Sequence, residues 1–189
     1  MSELVMGDLP QEWTLDDLAR LPEDGHRYEI VDGGLHVSPP PGSRHQVSAS
    51  RLGHALRLAA PPELEVLDGV GIDLGRSMFV PDISVVAAAV AVSGVPLFNP
   101  AEVRLAIEIV SPSSVSMDRL LKPTRYAEAG IPSYWRVDFG RTGEPTITVY
   151  DLDGDKYLET VAIPAGKQVE VERPYRVVLA PADLVGPRK

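Results

Sequence analysis

The sequence predicts a mixed α/β domain, and three observations carry that expectation. The runs Phe79 to Ala87 and Arg104 to Val110 are apolar on both alternating faces, as central strands covered on both sides are. Residues 43–59 carry an apolar stripe at helical spacing, formed by Val47, Leu52, Ala55, Leu56 and Ala59. Short β-favouring runs separated by Asp-Gly pairs and prolines fill the chain on either side of these segments.

Taken in order, Thr14 is a candidate N-cap with carboxylates in the turn that follows, so a short helix should end near Pro22. Tyr28 to Val31 and Leu35 to Ser38 flank Asp32-Gly33, a hairpin signal because glycine accepts the positive φ of a tight turn. Pro39, Pro40, Pro41 and Gly42 break the chain, and Ser43 can cap a second helix running to about Ala59. Strands should follow at Leu64 to Leu67, Ile72 to Leu74, Phe79 to Ala87 and Arg104 to Val110, with 88–103 a connection. A helix over about 118–129 should stop at Gly130 and Pro132. Tyr134 to Val137, Thr146 to Asp151, Tyr157 to Ile163 and Gln168 to Glu172 should complete the sheet, with Asp153-Gly154 as a hairpin turn.

The chain has 189 residues, 44% hydrophobic and 24% charged, enough for one domain with a sizeable core. The expected organisation is an N-terminal extension over 1–11, one domain over 12–185 and a tail over 186–189. There is no cysteine, which excludes disulfides and thiolate zinc sites. No run approaches the ~18 apolar residues of a membrane span, and the N-terminus lacks the pattern of a secretory signal. A cytoplasmic protein without membrane association is therefore expected.

A net charge of -9 argues against a general nucleic-acid binder, since backbone binding depends on Lys and Arg. The charge is unevenly spread, however. Gly33 to Pro62 contains no Asp or Glu but holds Arg44, Arg51 and Arg57 with His36, His45 and His54, so one positive face on an acidic body is an option. Ordinary solvated arginines on a helix are the simpler reading of the same residues.

The chemistry concentrates in three places. Asp82, after Pro81, and Glu108, between Ile107 and Ile109, are lone carboxylates in runs otherwise fit for buried strands, and Lys122 follows shortly after. Two carboxylates on adjacent strands plus an ammonium suit phosphodiester hydrolysis with a bound divalent cation. Each residue also has a structural reading. Asp82 alone could be a strand-start carboxylate, and Glu108 could sit in an ion pair with an arginine. Asp118 and Lys122, four apart, could form an exposed helical pair worth ~0.3 kcal/mol. Glu29 could face solvent, because alternation sets it opposite Tyr28 and Ile30. His45 could simply pack or cap. Pro123 lacks the N–H that would bond Arg119, so a regular helix there should begin only near Leu120.

Pro81-Asp82, Glu108 to Ser114, Asp118, Lys122, Tyr126 and Ala129 to Asp138, with Arg27 to Gly33 and His45 upstream, resemble the Uma-two family of putative restriction endonucleases. The likeness covers roughly residues 12 to 185. It implies a restriction endonuclease-like core of the PD-(D/E)XK superfamily, a mixed central sheet flanked by helices with a C-terminal β extension. It implies an Mg²⁺-dependent endonuclease, with Mn²⁺ a possible substitute, acting on nucleic acid and on DNA rather than RNA. On that resemblance Asp82, Glu108 and the Ile109 carbonyl hold the metal, Glu29 completes the carboxylate cluster, and Lys122 positions water and offsets transition-state charge. In the parent superfamily the lysine sits two residues after the strand carboxylate, where this chain has Val110, so the pattern resembles a migrated form. Arg44, His45, Arg51 and Arg119 are the expected nucleic-acid contacts, and a homodimer is expected if both strands of a duplex are cut. The alternative is a catalytically weak or inactive module of this fold that binds nucleic acid or a protein partner.

Overall fold

The structure is a computed structural model that describes residues 10–186. Most of the expected N-terminal extension and tail lies outside the described residues. The elements in order are α1 (Leu15–Leu18), β1 (Arg27–Val31), β2 (Gly34–Ser38), α2 (Ser43–Ala59), β3 (Leu64–Asp68), β4 (Gly71–Asp73), β5 (Met78–Phe79), β6 (Ile83–Ala87) and α3 (Ala88–Ala91). There follow β7 (Leu97–Phe98), β8 (Val103–Ile109), α4 (Lys122–Glu128), β9 (Ser133–Phe139), β10 (Pro145–Asp153), β11 (Lys156–Pro164), β12 (Val169–Val171) and β13 (Val177–Leu179).

A six-stranded sheet in the order β11-β10-β9-β8-β6-β3 forms the centre, parallel only between β8 and β9. Alternation along β8 sorts its side chains. Leu105, Ile107 and Ile109 join Leu52 and Leu56 of α2 in one core, and Ala106 joins Tyr126 of α4 and Phe79 of β5 in the other. Glu108 is therefore turned toward the Tyr126 side. A second, five-stranded sheet in the order β2-β1-β5-β4-β7 shares that second core through Ile72, Phe79 and Phe98.

The expected hairpin is present, with Asp32 at φ 48 and Gly33 at φ 87, the paired positive values of a type I′ turn. Thr14 caps α1 through a reciprocal bond with Asp17. Other expectations need correction. Phe79 to Ala87 is not one strand: β5 and β6 belong to different sheets, because Pro81 has no N–H for a ladder and the Val80 N–H is given to the Glu29 carboxylate at 2.8 Å. Gly42, not Ser43, is the N-cap of α2. Its buried face is Ser48, Leu52 and Leu56, spaced by four, whereas Val47 is exposed. Gln168 to Glu172 does not extend the main sheet, since Val169–Val171 pairs with β13 in a separate ribbon.

The segment before α4 is the most informative departure. Met117–Leu121 is a π-helical turn, and the Lys122 N–H bonds the Met117 carbonyl five residues back. The regular helix starts at Lys122, with Pro123 in its opening turn, where a missing N–H costs nothing. The wide turn absorbs the proline and sets the direction of Lys122.

Candidate active site

The strand ends of the two sheets and the N-terminal halves of α2 and α4 enclose a cleft of about 210 Å³. Its foot is lined by Arg27, Glu29, His45, Asp82, Glu108, Asp118 and Lys122. Asp82 immediately precedes β6 and its N–H donates to the Ile107 carbonyl at 3.0 Å, which continues the β6 and β8 ladder to the level of Glu108. The lone carboxylates of the two apolar strands thus face one cleft.

Lys122 is buried among carboxylates. Its Nζ lies 2.9 Å from Glu29 Oε1, 3.1 Å from Glu108 Oε1 and 3.8 Å from Asp118 Oδ1. The Asp118 and Lys122 pair is therefore not an exposed helical pair, and Glu29 does not face solvent, with 2% of its surface exposed. Tyr126 donates its hydroxyl to Glu108 Oε1 at 2.9 Å and fixes that carboxylate from α4. Ser114 donates to Asp118, and Tyr134 donates to the Asp118 carbonyl at 2.5 Å.

At the other end of the cleft Asp82 is surrounded by donors. Arg27 Nη1 lies 2.8 Å from Oδ1, and Oδ2 meets His45 Nε2 at 3.0 Å and the Ile109 N–H at 2.7 Å. The electrostatic consequence differs between the two ends. Burial pushes the Asp82 carboxyl up, but the His45 bond, the Arg27 charge and the Ile109 N–H outweigh it and leave the pKa at about 2. Burial raises Glu108 well above the usual carboxylate range, and the charges of Asp118, Asp82 and Glu29 add to this against Lys122. Asp118 is pushed up to about 6, chiefly by burial. Burial favours neutral Lys122 and Arg27, yet the neighbouring carboxylates prevail and both are held more firmly protonated than usual.

Glu29, Asp82, Glu108 and Asp118 face only two permanent cations, Arg27 and Lys122, so the fully ionised foot carries two surplus negative charges. The other expected contacts do not converge here. Arg44 lies over the Phe139 ring, 5.7 Å from its centroid. Arg51 donates to the carbonyls of Asp183 and Gly186 at 2.9 and 2.5 Å and ties α2 to the C-terminal turn. Arg57 pairs with Asp68, and Arg119 pairs with Asp138 at 2.8 Å on the far side of α4. Of the basic residues given as candidates from the sequence, His36, His45 and Lys122 line the cleft. Arg27 was not given a role, although it stands two before Glu29, and strand alternation puts both on one face.

The Uma2 family, described as "putative restriction endonuclease", matches residues 15–181. Among solved structures, the chain is similar to the crystal structure of a putative nuclease belonging to DUF820 from Anabaena variabilis, with a TM-score of 0.70 and 20% identity over 92% of this chain and 97% of that one. No curated protein matches. At that identity the likeness speaks for the fold, which is restriction endonuclease-like as the sequence resemblance implied. The family match spans most of the chain, and the protein belongs to the Uma2 family of putative restriction endonucleases.

Proposed function

We propose that this chain is a divalent-cation-dependent nuclease that hydrolyses phosphodiester bonds in DNA. The observation that carries the reading is the meeting of Glu29, Asp82, Glu108 and Lys122, from β1, the β6 entry, β8 and α4, at the foot of one cleft. The donor set fits a hard divalent cation. Asp82 Oδ1 is buried and receives no well-directed hydrogen bond, although Arg27 lies near, and the two surplus negative charges of the fully ionised foot match the charge of Mg²⁺ or Mn²⁺. Among the described residues no three acidic or histidine side chains form a finished metal centre, because Lys122 stands between Glu29, Glu108 and Asp118.

Asp82 and Glu108, with the Ile109 carbonyl, are the oxygens that would hold the cation. When bound, it supplies a Lewis acid and lowers the pKa of water. Arg27 and His45 orient the Asp82 carboxylate, and Tyr126 orients Glu108. Lys122, held charged and anchored by Glu29, offers its ammonium to a non-bridging phosphate oxygen as charge develops there. A homodimer is needed only if both strands of a duplex are cut, which sedimentation at micromolar concentration tests. Among the described residues no helix is long and apolar enough to cross a membrane.

A second reading is a binding module of this fold, and one observation favours it: Asp82 is already engaged by Arg27, His45 and the Ile109 N–H. Incubation of the purified chain with labelled DNA and RNA, with Mn²⁺ or with chelator, separates the two. Mn²⁺-dependent cleavage that disappears in Glu108→Gln supports the enzyme; retention of nucleic acid without cleavage supports the module.

A further inference from the structure

The carboxylates and the lysine at the foot of the cleft lie deep. Glu29, Asp82, Glu108, Asp118 and Lys122 are between 1% and 5% exposed. The space above them is about 210 Å³, below the ~300–1,000 Å³ of a typical small-ligand pocket. Groups this deep meet a scissile phosphate only if it descends into the cleft. A duplex is stiff over ~150 base pairs and carries its phosphates on convex ridges flanked by the paired strand. An unpaired strand can bend inward and splay its bases.

The rim has matching chemistry. Pro39, Pro40 and Pro41 on one side and Pro112 and Ser113 on the other are exposed and uncharged. The prolines of the two walls suit the faces of unpaired bases. They offer no cations to the run of phosphates on either side, and an unpaired strand can offset that loss by stacking its bases where a duplex cannot. Farther out, Arg51 is engaged by backbone carbonyls, Arg119 by Asp138 and Arg125 by Asp32 and Glu128, while Arg44 is exposed and lies over the Phe139 ring.

We propose that the substrate is an unpaired nucleic-acid strand, drawn into the cleft one phosphate at a time, and that intact duplex is excluded. This rests on the nuclease reading and adds the substrate class to it. One consequence is that a monomer suffices, since there is no second strand to cut.

The test uses the full chain with Mn²⁺ and three end-labelled DNAs of one sequence: single strand, blunt duplex, and duplex with a central unpaired bubble. Glu108→Gln, prepared identically, reports contaminating nuclease. The expected result is single-strand cleavage at least tenfold faster than blunt-duplex cleavage, with cuts in the third DNA confined to the bubble. Duplex cleavage at an equal or higher rate overturns the proposal and leaves the nuclease reading standing. Cleavage of all three no faster than by Glu108→Gln removes the nuclease reading, and the proposal with it.

Discussion

The two ends of the cleft hold their carboxylates in opposite ways. Asp82 faces three donors, Arg27, His45 and the Ile109 N–H, and its pKa falls to about 2. Glu29, Glu108 and Asp118 share one ammonium, and burial drives Glu108 and Asp118 upward, Asp118 to about 6. Both ends are buried, so burial alone does not decide the charge state. The hydrogen-bond donors and cations facing each carboxylate decide it. The end short of positive charge is where a divalent cation or protons relieve the most repulsion, and Asp82 stands ready as an ionised ligand beside it.

The largest effect should come from removing the carboxylates that span the two ends. Asp82→Ala and Glu108→Ala should each bring Mn²⁺-dependent cleavage to the level of the chelated protein, measured on labelled oligonucleotides. Cleavage surviving in either variant would detach that end from the chemistry.

Lys122→Ala comes next. It should slow cleavage by roughly 100-fold, with metal affinity kept or slightly raised, if the ammonium stabilises developing charge. Lys122→Arg should not restore the rate, because a planar guanidinium does not fit where an ammonium is packed among three carboxylates. Removing the lysine also strands Glu29, Glu108 and Asp118. In metal-free protein near neutral pH this should cost about 3–5 kcal/mol in denaturant unfolding, and less in acid, where those groups protonate.

Asp118 gives a smaller effect whose sign is set by its shift. Its folded pKa, about 6, lies above the ordinary 3.8. The folded state therefore holds a proton that the unfolded chain has lost, and stability falls as pH rises from about 4 to about 6. The contribution is about 3 kcal/mol by linkage. Asp118→Asn has no such proton, so its stability should fall less than the parent's across that window in chelator. Identical pH profiles would mean that Lys122 compensates Asp118 more fully than its 3.8 Å separation indicates.

How much of this was legible in the sequence depended on whether a residue's meaning was local. Asp32-Gly33 announced its hairpin because the positive φ values are a property of the dipeptide. Glu108 announced itself as a charge in an apolar strand, and Asp82 came with it. The aim of Lys122 was not legible, since the π-helical turn over Met117–Leu121 depends on packing around Pro123 rather than on any propensity. The break at Pro81 was readable as a missing N–H, but the assignment of β5 and β6 to separate sheets was not. The arginines of 33–62 show the limit of charge counting. Arg51 found its partners in the C-terminal turn, far along the chain, and Arg57 found Asp68 in β3, the next element, and neither pairing shows in the run of residues 33–62 itself.

The smallest effect expected is at Arg51. Arg51→Ala removes two hydrogen bonds to carbonyls and should cost about 1 kcal/mol of stability, with cleavage unchanged. A large loss of cleavage in a folded Arg51→Ala protein would return that face of α2 to the nucleic-acid surface.

Whether the cation-poor end and Asp82 together hold a divalent cation is measured by Mn²⁺ titration in a calorimeter, which requires neither substrate nor turnover. The account predicts one saturable site in the parent chain, lost in both Asp82→Asn and Glu108→Gln and retained in Arg51→Ala. No saturable Mn²⁺ binding by folded parent protein, or binding that survives in both carboxylate variants, would contradict it.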